Sequence, residues 1–423
     1  MIVPRGIILS APSSASGKTT ITLGLLRALK HAGIPVRSAK SGPDYIDPRF
    51  HAAASGTECF NLDAWAMSPD SIRMLASGAL PLIIEGAMGL FDGALPDGKG
   101  STADLARILG LPIVLVLDVA SQAQSVAAVA LGFSQLAPDI KIAGLILNKV
   151  ASQRHNRMLC TALKPLGIPI LGSVYRQTNL ETPSRHLGLV QAQELEQLET
   201  FLDTAANMLS EAVDINQLLS LMSDINQPSS IPKMLPPPAQ SIAIAKDAAF
   251  SFLYPHLLKR WHNMGAEISF FSPLENQAPK LADLIFLPGG YPELHAEKLA
   301  NADIFKKAMK SAPSVYGECG GYMAMGEGLV DANGSRHEML GLLSLETSFA
   351  NRKLNLGYRM LTPNRLWSIP LTGHEFHYAT TLRADGDPLF QATDAEGSKL
   401  PNMGLVKGTS SGSFAHIIDR QTN

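Results

Sequence analysis

Five near-continuous apolar runs recur through the first half of the chain, at residues 6–10, 81–85, 112–118, 142–150 and 169–174, and a more polar strand-like stretch lies at 34–40. Each is as long as a strand, and none alternates polar with apolar positions. Such runs predict strands buried on both faces. The stretches between them carry apolar positions at helical spacing: Ile21, Leu25, Leu26 and Leu29 after the first run, then residues 123–133 and 154–163. Alternating strands and helices predict an α/β domain with a parallel sheet. Residues 191–212 predict an amphipathic helix with acids on its outer face and no chemistry of its own. The Pro-rich stretch 227–238 then reads as a semi-rigid linker. Strand patterning resumes at 241–245, and a second α/β unit follows. The expected organisation is a domain at 1–225, a linker at 226–240 and a domain at 241–423, with no finer repeat.

The first run leads into Ser13-Ser14-Ala15-Ser16-Gly17-Lys18-Thr19-Thr20 and a helix. Strand, loop, Gly-Lys-Thr and helix form the P-loop arrangement. Backbone N–H groups around Ser16, Gly17 and Thr20 would cradle phosphate, Lys18 would reach the terminal phosphates, and Thr19 would face Mg²⁺. The full pattern calls for Gly at position 12, where this chain has Pro12. Asp44 and Asp47 lie three apart on a Gly/Pro-rich loop, which plain turn chemistry explains equally well. Glu85 ends a buried strand beside the expected phosphate crevice, where a metal ligand is needed. Asn148 also ends a strand and could read the nucleotide base or simply be exposed.

In the second half, Gly317-Glu318-Cys319-Gly320-Gly321 follows an apolar run and opens into a helical pattern. A nucleophile on a tight strand-to-helix turn needs small neighbours, and the helix start would favour thiolate and an oxyanion. Upstream, residues 283–290 predict a strand ending in Gly289-Gly290, suited to an oxyanion turn; downstream lies His416. Gly373-His374-Glu375-Phe376-His377 does not have zinc-protease spacing, and on a strand His374 and His377 would face opposite ways.

Composition narrows the partners. The 423 residues are 46% hydrophobic and 17% charged, with a net charge of −2. No general attraction to nucleic acid or anionic membrane follows. Three Cys without ligand spacing suggest neither a disulfide framework nor a zinc site. The N-terminus lacks a signal-peptide pattern and no apolar run approaches membrane-spanning length, so the cytoplasm is the expected compartment.

The second half resembles class I glutamine amidotransferase domains, which implies Cys319 as nucleophile, His416 as general base, and Gly290 and Gly320 as oxyanion donors. Many members carry a Glu two residues after the His; here that position is Ile418, with Asp419 one further on, and the third triad member stays unassigned. Taken together, SGKTT, KSGPDYIDPRFHAAASG, NLDAWAM, EGAMGLFDG, SRHLGL, LPGGYPE, YGECGGYMAMG and GHEFHY resemble the cobyrinate/hydrogenobyrinate a,c-diamide synthases, over nearly the whole chain. The tail GSFAHIID is more similar to the hydrogenobyrinate-using branch than to the branch ending H-x-H. The resemblance implies a dethiobiotin-synthetase-like first domain that activates carboxylates with ATP. It also implies Mg²⁺ and phosphate handling by Asp44, Glu85 and Asp92, charge from Lys18 and Lys40, and contact of Tyr45, Ile46 and Asp47 with the tetrapyrrole and its reacting carboxylate. Two alternatives stay open: the same reaction on another macrocycle such as a nickel-sirohydrochlorin, or a regulatory P-loop ATPase with a degenerate second domain. A homodimer is compatible with either.

Overall fold

The computed structural model describes residues 4–177 and 197–422. The chain divides into two compact units, Met1–Pro232 and Lys233–Asn423.

The first unit holds strands β1 (Arg5–Ser10), β2 (Arg37–Ser41), β3 (Phe60–Leu62), β4 (Leu82–Glu85), β5 (Ile113–Asp118), β6 (Ile142–Val150), β7 (Ile170–Tyr175) and the short β8 (Ser223–Asp224). The main order is β3-β2-β4-β1-β5-β6-β7, parallel throughout, with β8 antiparallel to the start of β1. Ile7, Ile8, Leu9, Ile83, Ile84, Val114 and Leu145 are fully buried, as apolar runs in a sheet covered on both faces must be. The helices are α1 (Lys18–His31), α2 (Asp47–Ser55), α3 (Pro69–Ala76), α4 (Thr102–Leu109), α5 (Val126–Gln135), α6 (Gln153–Leu163), α7 (Leu198–Ala212) and α8 (Ile215–Ser220). Several begin where a serine hydroxyl accepts a backbone N–H, as Ser101 does from Asp104 at 3.2 Å. From β1 the chain goes through α1 to β2 on one side, and β5 pairs on the other. This reversal opens a crevice at the carboxyl ends of the strands.

Residues 191–196 of the expected amphipathic helix, and the motif at 184–189, lie outside the described residues. In α7 the acids are not idle: Asp203 pairs with the buried Arg27 of α1 at 2.7 Å, and Glu199 bonds the same guanidinium. The Pro-rich stretch is tied down at both ends. Ser229 and Ser230 bond Asp70, and Pro236 accepts the Trp367 indole N–H at 3.1 Å.

The second unit contains β9 (Ser241–Ala245), β10 (Glu267–Phe271), β11 (Leu284–Leu287), β12 (Val315–Glu318), β13 (Gly328–Val330), β14 (Arg336–Glu338), β15 (Ser344–Ser348), β16 (Asn355–Pro363), β17 (Leu371–His377), β18 (Thr380–Asp385), β19 (Phe390–Thr393), β20 (Leu405–Lys407), β21 (Ser410–Ser413) and β22 (Ala415–Arg420). Its helices are α9 (Pro255–Asn263), α10 (Ala296–Ala300), α11 (Asp303–Lys310) and α12 (Gly320–Ala324). The sheet β10-β9-β11-β12-β21-β20 is parallel except for β20. Two further sheets, β14-β13-β15-β18 and β19-β16-β17-β22, are largely antiparallel. These sheets go beyond the single α/β layer expected from the sequence. Several of their strands, β14, β16 and β18 above all, are partly exposed, and half-wet strands lack the long apolar run that marks a buried one.

Candidate active sites

In the first unit, Gly17 caps α1 in the left-handed conformation (φ 86°), and a Cβ there would meet Asn148 Nδ2 at 2.2 Å. Only glycine fits both demands. The Asn148 amide donates to Ser16 O at 2.9 Å, so this residue braces the loop as well as lining the cleft, a role the expected base contact did not include. Ser16 itself is buried, its hydroxyl bonded to Ser13 O at 2.9 Å. Lys18 Nζ reaches Met88 O at 2.5 Å and Ser13 O at 3.2 Å. Burial and the nearby Lys40 lower its pKa from the usual lysine value.

Behind the loop, charged groups converge on Glu85 at the end of β4. Glu85 Oε1 accepts from Thr19 Oγ1 at 2.6 Å and from Lys40 Nζ at 2.7 Å; Oε2 lies 2.7 Å from His51 Nε2. Lys40 Nζ also reaches Asp47 Oδ2 at 2.6 Å. Burial would push the Glu85 carboxyl up, but Lys40 and His51 outweigh it and hold Glu85 well below the usual range. Burial likewise opposes the Lys40 charge, and Asp47 and Glu85 override it. One lysine cannot neutralise two carboxylates equally. Asp47, partly buried and close to Asp44, is pushed up to about 7 despite Lys40.

A cleft of about 940 Å³ runs over this network, lined by Gly17, Lys18, Thr19, Thr20, Lys40, Asp44, Asp47, Glu85 and Asn148 among others. The four expected metal ligands do not converge. Thr19 and Glu85 touch; Asp44 Oδ1 instead accepts the Ile46 and Asp47 N–H groups at 2.8 and 3.0 Å, fixing the start of α2. Asp92 lies off the lining, its Oδ2 accepting the Gly89 N–H at 2.9 Å. Among the described residues, no three His, Cys, Asp or Glu side chains surround one point. Tyr45 is buried and neither it nor Ile46 lines the cleft. Sequence reasoning missed His51 and the lining residues Tyr175, Arg176 and Gln177. A signal existed for each: His51 stands four residues after Asp47 on one helix face, and the other three follow the carboxyl end of a parallel strand.

In the second unit, Cys319 turns the chain from β12 into α12 with φ 46° and ψ −106°, a backbone state that a non-glycine residue adopts only under constraint. Its N–H donates to Ser413 O at 2.8 Å, and Sγ lies 3.7 Å from Phe376 O. Gly290 and Gly320 approach so closely that a Cβ on Gly320 would lie 2.9 Å from Gly290 N. His416, on β22, is paired with His374 of β17. It occupies the space beside Gly289, where a Cβ would meet its Cε1 at 2.2 Å. Its Nδ1 is 3.8 Å from Glu318 Oε2.

The thiol is not activated in advance. Burial and Glu293 push the Cys319 thiol far above its usual range, against the smaller pull of the Gly320 N–H, so the expected preference for thiolate fails. Burial, with His374 and His377, holds His416 well below its usual value, which leaves a neutral imidazole able to accept a proton. His374 pairs across the strands with His416 and meets the Tyr358 ring edge-on at 5.4 Å. His377 Nε2 is 2.9 Å from Glu375 Oε1, and its ring stacks on Phe414 at 3.8 Å.

Residues 7–190 match a CobQ/CobB/MinD/ParA nucleotide binding domain, and residues 241–423 match a CobB/CobQ-like glutamine amidotransferase domain. A hydrogenobyrinate a,c-diamide synthase from Brucella abortus biovar 1 is 54% identical over 98% of this chain and 98% of its own. The chain belongs to the hydrogenobyrinate a,c-diamide synthase family. Relatives of the same name from Rhizobium meliloti (49% identical, 98% of this chain and 99% of theirs) and Mesorhizobium japonicum (47%, 98% and 99%) agree. A solved glutamine amidotransferase covers 41% of this chain and 89% of its own at 12% identity and a TM-score of 0.29, too faint a likeness to argue from. The protein is a nucleotide-using ligase of glutamine-dependent amidation in cobalamin biosynthesis. Among the described residues, no helix is long and apolar enough to cross a membrane.

Proposed function

We propose that the protein amidates the a and c acetate carboxylates of hydrogenobyrinate through acyl phosphates, with cobyrinate as the related alternative substrate. The observation that carries this reading is the Thr19–Glu85–Lys40–Asp47 chain of contacts beneath a P-loop cleft. It joins a phosphate cradle to a carboxylate poised near neutral pH.

Carboxylate and ammonia do not condense unaided near neutral pH. Carboxylate is a poor electrophile, and ammonia is mostly ammonium. ATP answers the first problem: its terminal phosphoryl group passes to a substrate carboxylate oxygen and ADP leaves. Lys18 and Lys40 offset charge on the transferring group, and the loop N–H groups around Gly17 hold the remaining phosphates. The second problem is answered by glutamine hydrolysis in the other unit. Ammonia attacks the acyl carbon, phosphate departs, and Asp47 takes the proton that the nitrogen sheds.

The Thr19 hydroxyl on the cleft wall and the buried Glu85 carboxylate directly behind it are hard oxygen donors, the type that suits Mg²⁺, which takes one or two protein ligands and the rest from phosphates and water. Thr19 and Glu85 would hold it, with Asp44 on the cleft wall; bound there, it neutralises phosphate charge. Asp92 and Tyr45 stand outside this reading. In the second unit, Cys319 serves as nucleophile, His416 as base, and the Gly290 and Gly320 N–H groups as oxyanion donors. The protein works in the cytoplasm on small molecules alone, without nucleic-acid or membrane partners.

The test is purified protein with ATP, Mg²⁺ and glutamine, given metal-free hydrogenobyrinate or cobalt-containing cobyrinate in parallel. Two successive amidations are expected by mass spectrometry, with one ADP and one glutamate per amide. No amide on either macrocycle, even with ammonia supplied, would overturn the reading.

A further inference from the structure

We infer that Glu318 is the third member of the glutamine-hydrolysing triad, a positioning residue that acts through His416. This rests on the reading of Cys319 and His416 as nucleophile and base. The usual place for the carboxylate, two residues after the His and on the same face of the strand, is taken by Ile418. The neighbouring Asp419 is committed elsewhere: Oδ2 pairs with the buried Arg260 at 2.7 Å. Glu375 is committed too, to Arg359 at 2.7 Å and His377 at 2.9 Å.

Glu318 reaches His416 from a different strand. It is the last residue of β12, immediately before the nucleophile, and it is 5% exposed. Its Oε1 accepts the Tyr316 O–H at 3.0 Å and the Ile417 N–H at 3.2 Å. Those two bonds fix the carboxyl plane and leave Oε2 turned to His416 Nδ1 at 3.8 Å. Catalytic hydrogen bonds of this kind are commonly long before substrate binds. Nothing in an apolar strand interior calls for a carboxylate; burial pushes this one up to about 8.

The chemistry follows the triad logic. Glu318 is ionised above about pH 8, and an imidazolium forming beside it favours the charged form. As a carboxylate it accepts a hydrogen bond from the imidazole Nδ1–H, so the basic Nε2 lone pair is kept for the thiol. The Cys319 S–H proton passes to Nε2 as sulfur bonds to the side-chain carbonyl carbon of glutamine. The imidazolium, stabilised by Glu318, returns that proton to the departing ammonia, and water then hydrolyses the thioester. The Tyr316 and Ile417 donors hold Glu318 as Glu318 holds the imidazole.

The experiment compares glutamine-driven with ammonia-driven amidation in the full chain for Cys319→Ala, Glu318→Gln and Glu318→Asp. Glu318→Gln is expected to lower glutamine-driven kcat by about 10²-fold or more while the KM for glutamine changes far less. Glu318→Asp should recover part of that loss, because it keeps the charge, and ammonia-driven synthesis reports that both variants are folded. Equal loss in Gln and Asp variants, loss carried by KM alone, or parallel loss of the ammonia-driven rate overturns the assignment. An inactive Cys319→Ala beside a fully active Glu318→Gln removes Glu318 only. Retained glutamine hydrolysis in Cys319→Ala removes the underlying reading and Glu318 with it.

Discussion

His51 Nε2 lies 2.7 Å from Glu85 Oε2, and neither side chain touches solvent. His51 is thus the second cation on a carboxylate that Lys40 already holds, and Cys59 Sγ lies 3.6 Å behind its other nitrogen. Burial alone would pull the imidazole down; Cys59 and Glu85 raise it from 6.5 to about 10. Its folded pKa is therefore above its unfolded one. The stability it contributes is complete below about pH 6.5 and is lost as pH rises through about 10. His51→Gln should lose stability on the order of a few kcal/mol near pH 6 and flatten that alkaline decline. Urea unfolding of both proteins at several pH values checks this; parallel curves would show that the pair carries no charge.

Glu85→Gln should abolish amidation with either nitrogen source, because carboxyl activation precedes ammonia attack. Lys18→Ala should behave alike. Product formation from ammonia, followed by mass spectrometry, decides it, and normal turnover in Glu85→Gln would place the residue outside the chemistry.

Much of this was legible in the sequence, for a physical reason. A parallel sheet buried on both faces writes itself as apolar runs, and phosphate cradles and nucleophile turns demand glycines at fixed offsets. The loop at Gly17 and the turn at Cys319 could be located that way. What could not be read was pairing between distant side chains. That Lys40 would bridge Glu85 and Asp47, or that Glu318 would face His416, depends on which strands become neighbours. The antiparallel sheets were also hidden, since β14, β16 and β18 are partly exposed and carry weak patterning.

Cys319→Ala should lose glutamine-driven synthesis and keep ammonia-driven synthesis, since the two reactions belong to different domains. His416→Ala should fall by about 10²–10⁴-fold on the glutamine side alone. Gly289→Ala offers a sharper test, because its new Cβ would lie 2.2 Å from His416 Cε1. The imidazole must shift, and a displacement near 1 Å costs about 10²-fold. Measuring glutamate release settles it; an unaffected rate would mean the ring position does not matter.

Asp47 carries the least conventional expectation. It lies in a cleft with Asp44, Lys40 and Glu85, and charge alone decides how these groups divide their work. Glu85 takes both cations, Lys40 and His51; Asp44 is held by the start of α2. Among the described residues Asp47 pairs with Lys40 alone, at 2.6 Å, and burial with Asp44 pushes it up to about 7. A carboxylate there is a stronger base than a solvated one and can take a proton from the attacking nitrogen. In the wild-type protein the ammonia-driven rate, expressed per free NH₃, should rise as Asp47 ionises, with its midpoint near pH 7. Asp47→Asn should bind ATP and macrocycle as before, turn over slowly, and show no such rise. A slowed second step should also let mono-amidated product accumulate. Chromatography at partial conversion, with the pH profile, tests both. Weakened macrocycle binding with unchanged turnover of what binds would make Asp47 a recognition residue and leave the proton with another base.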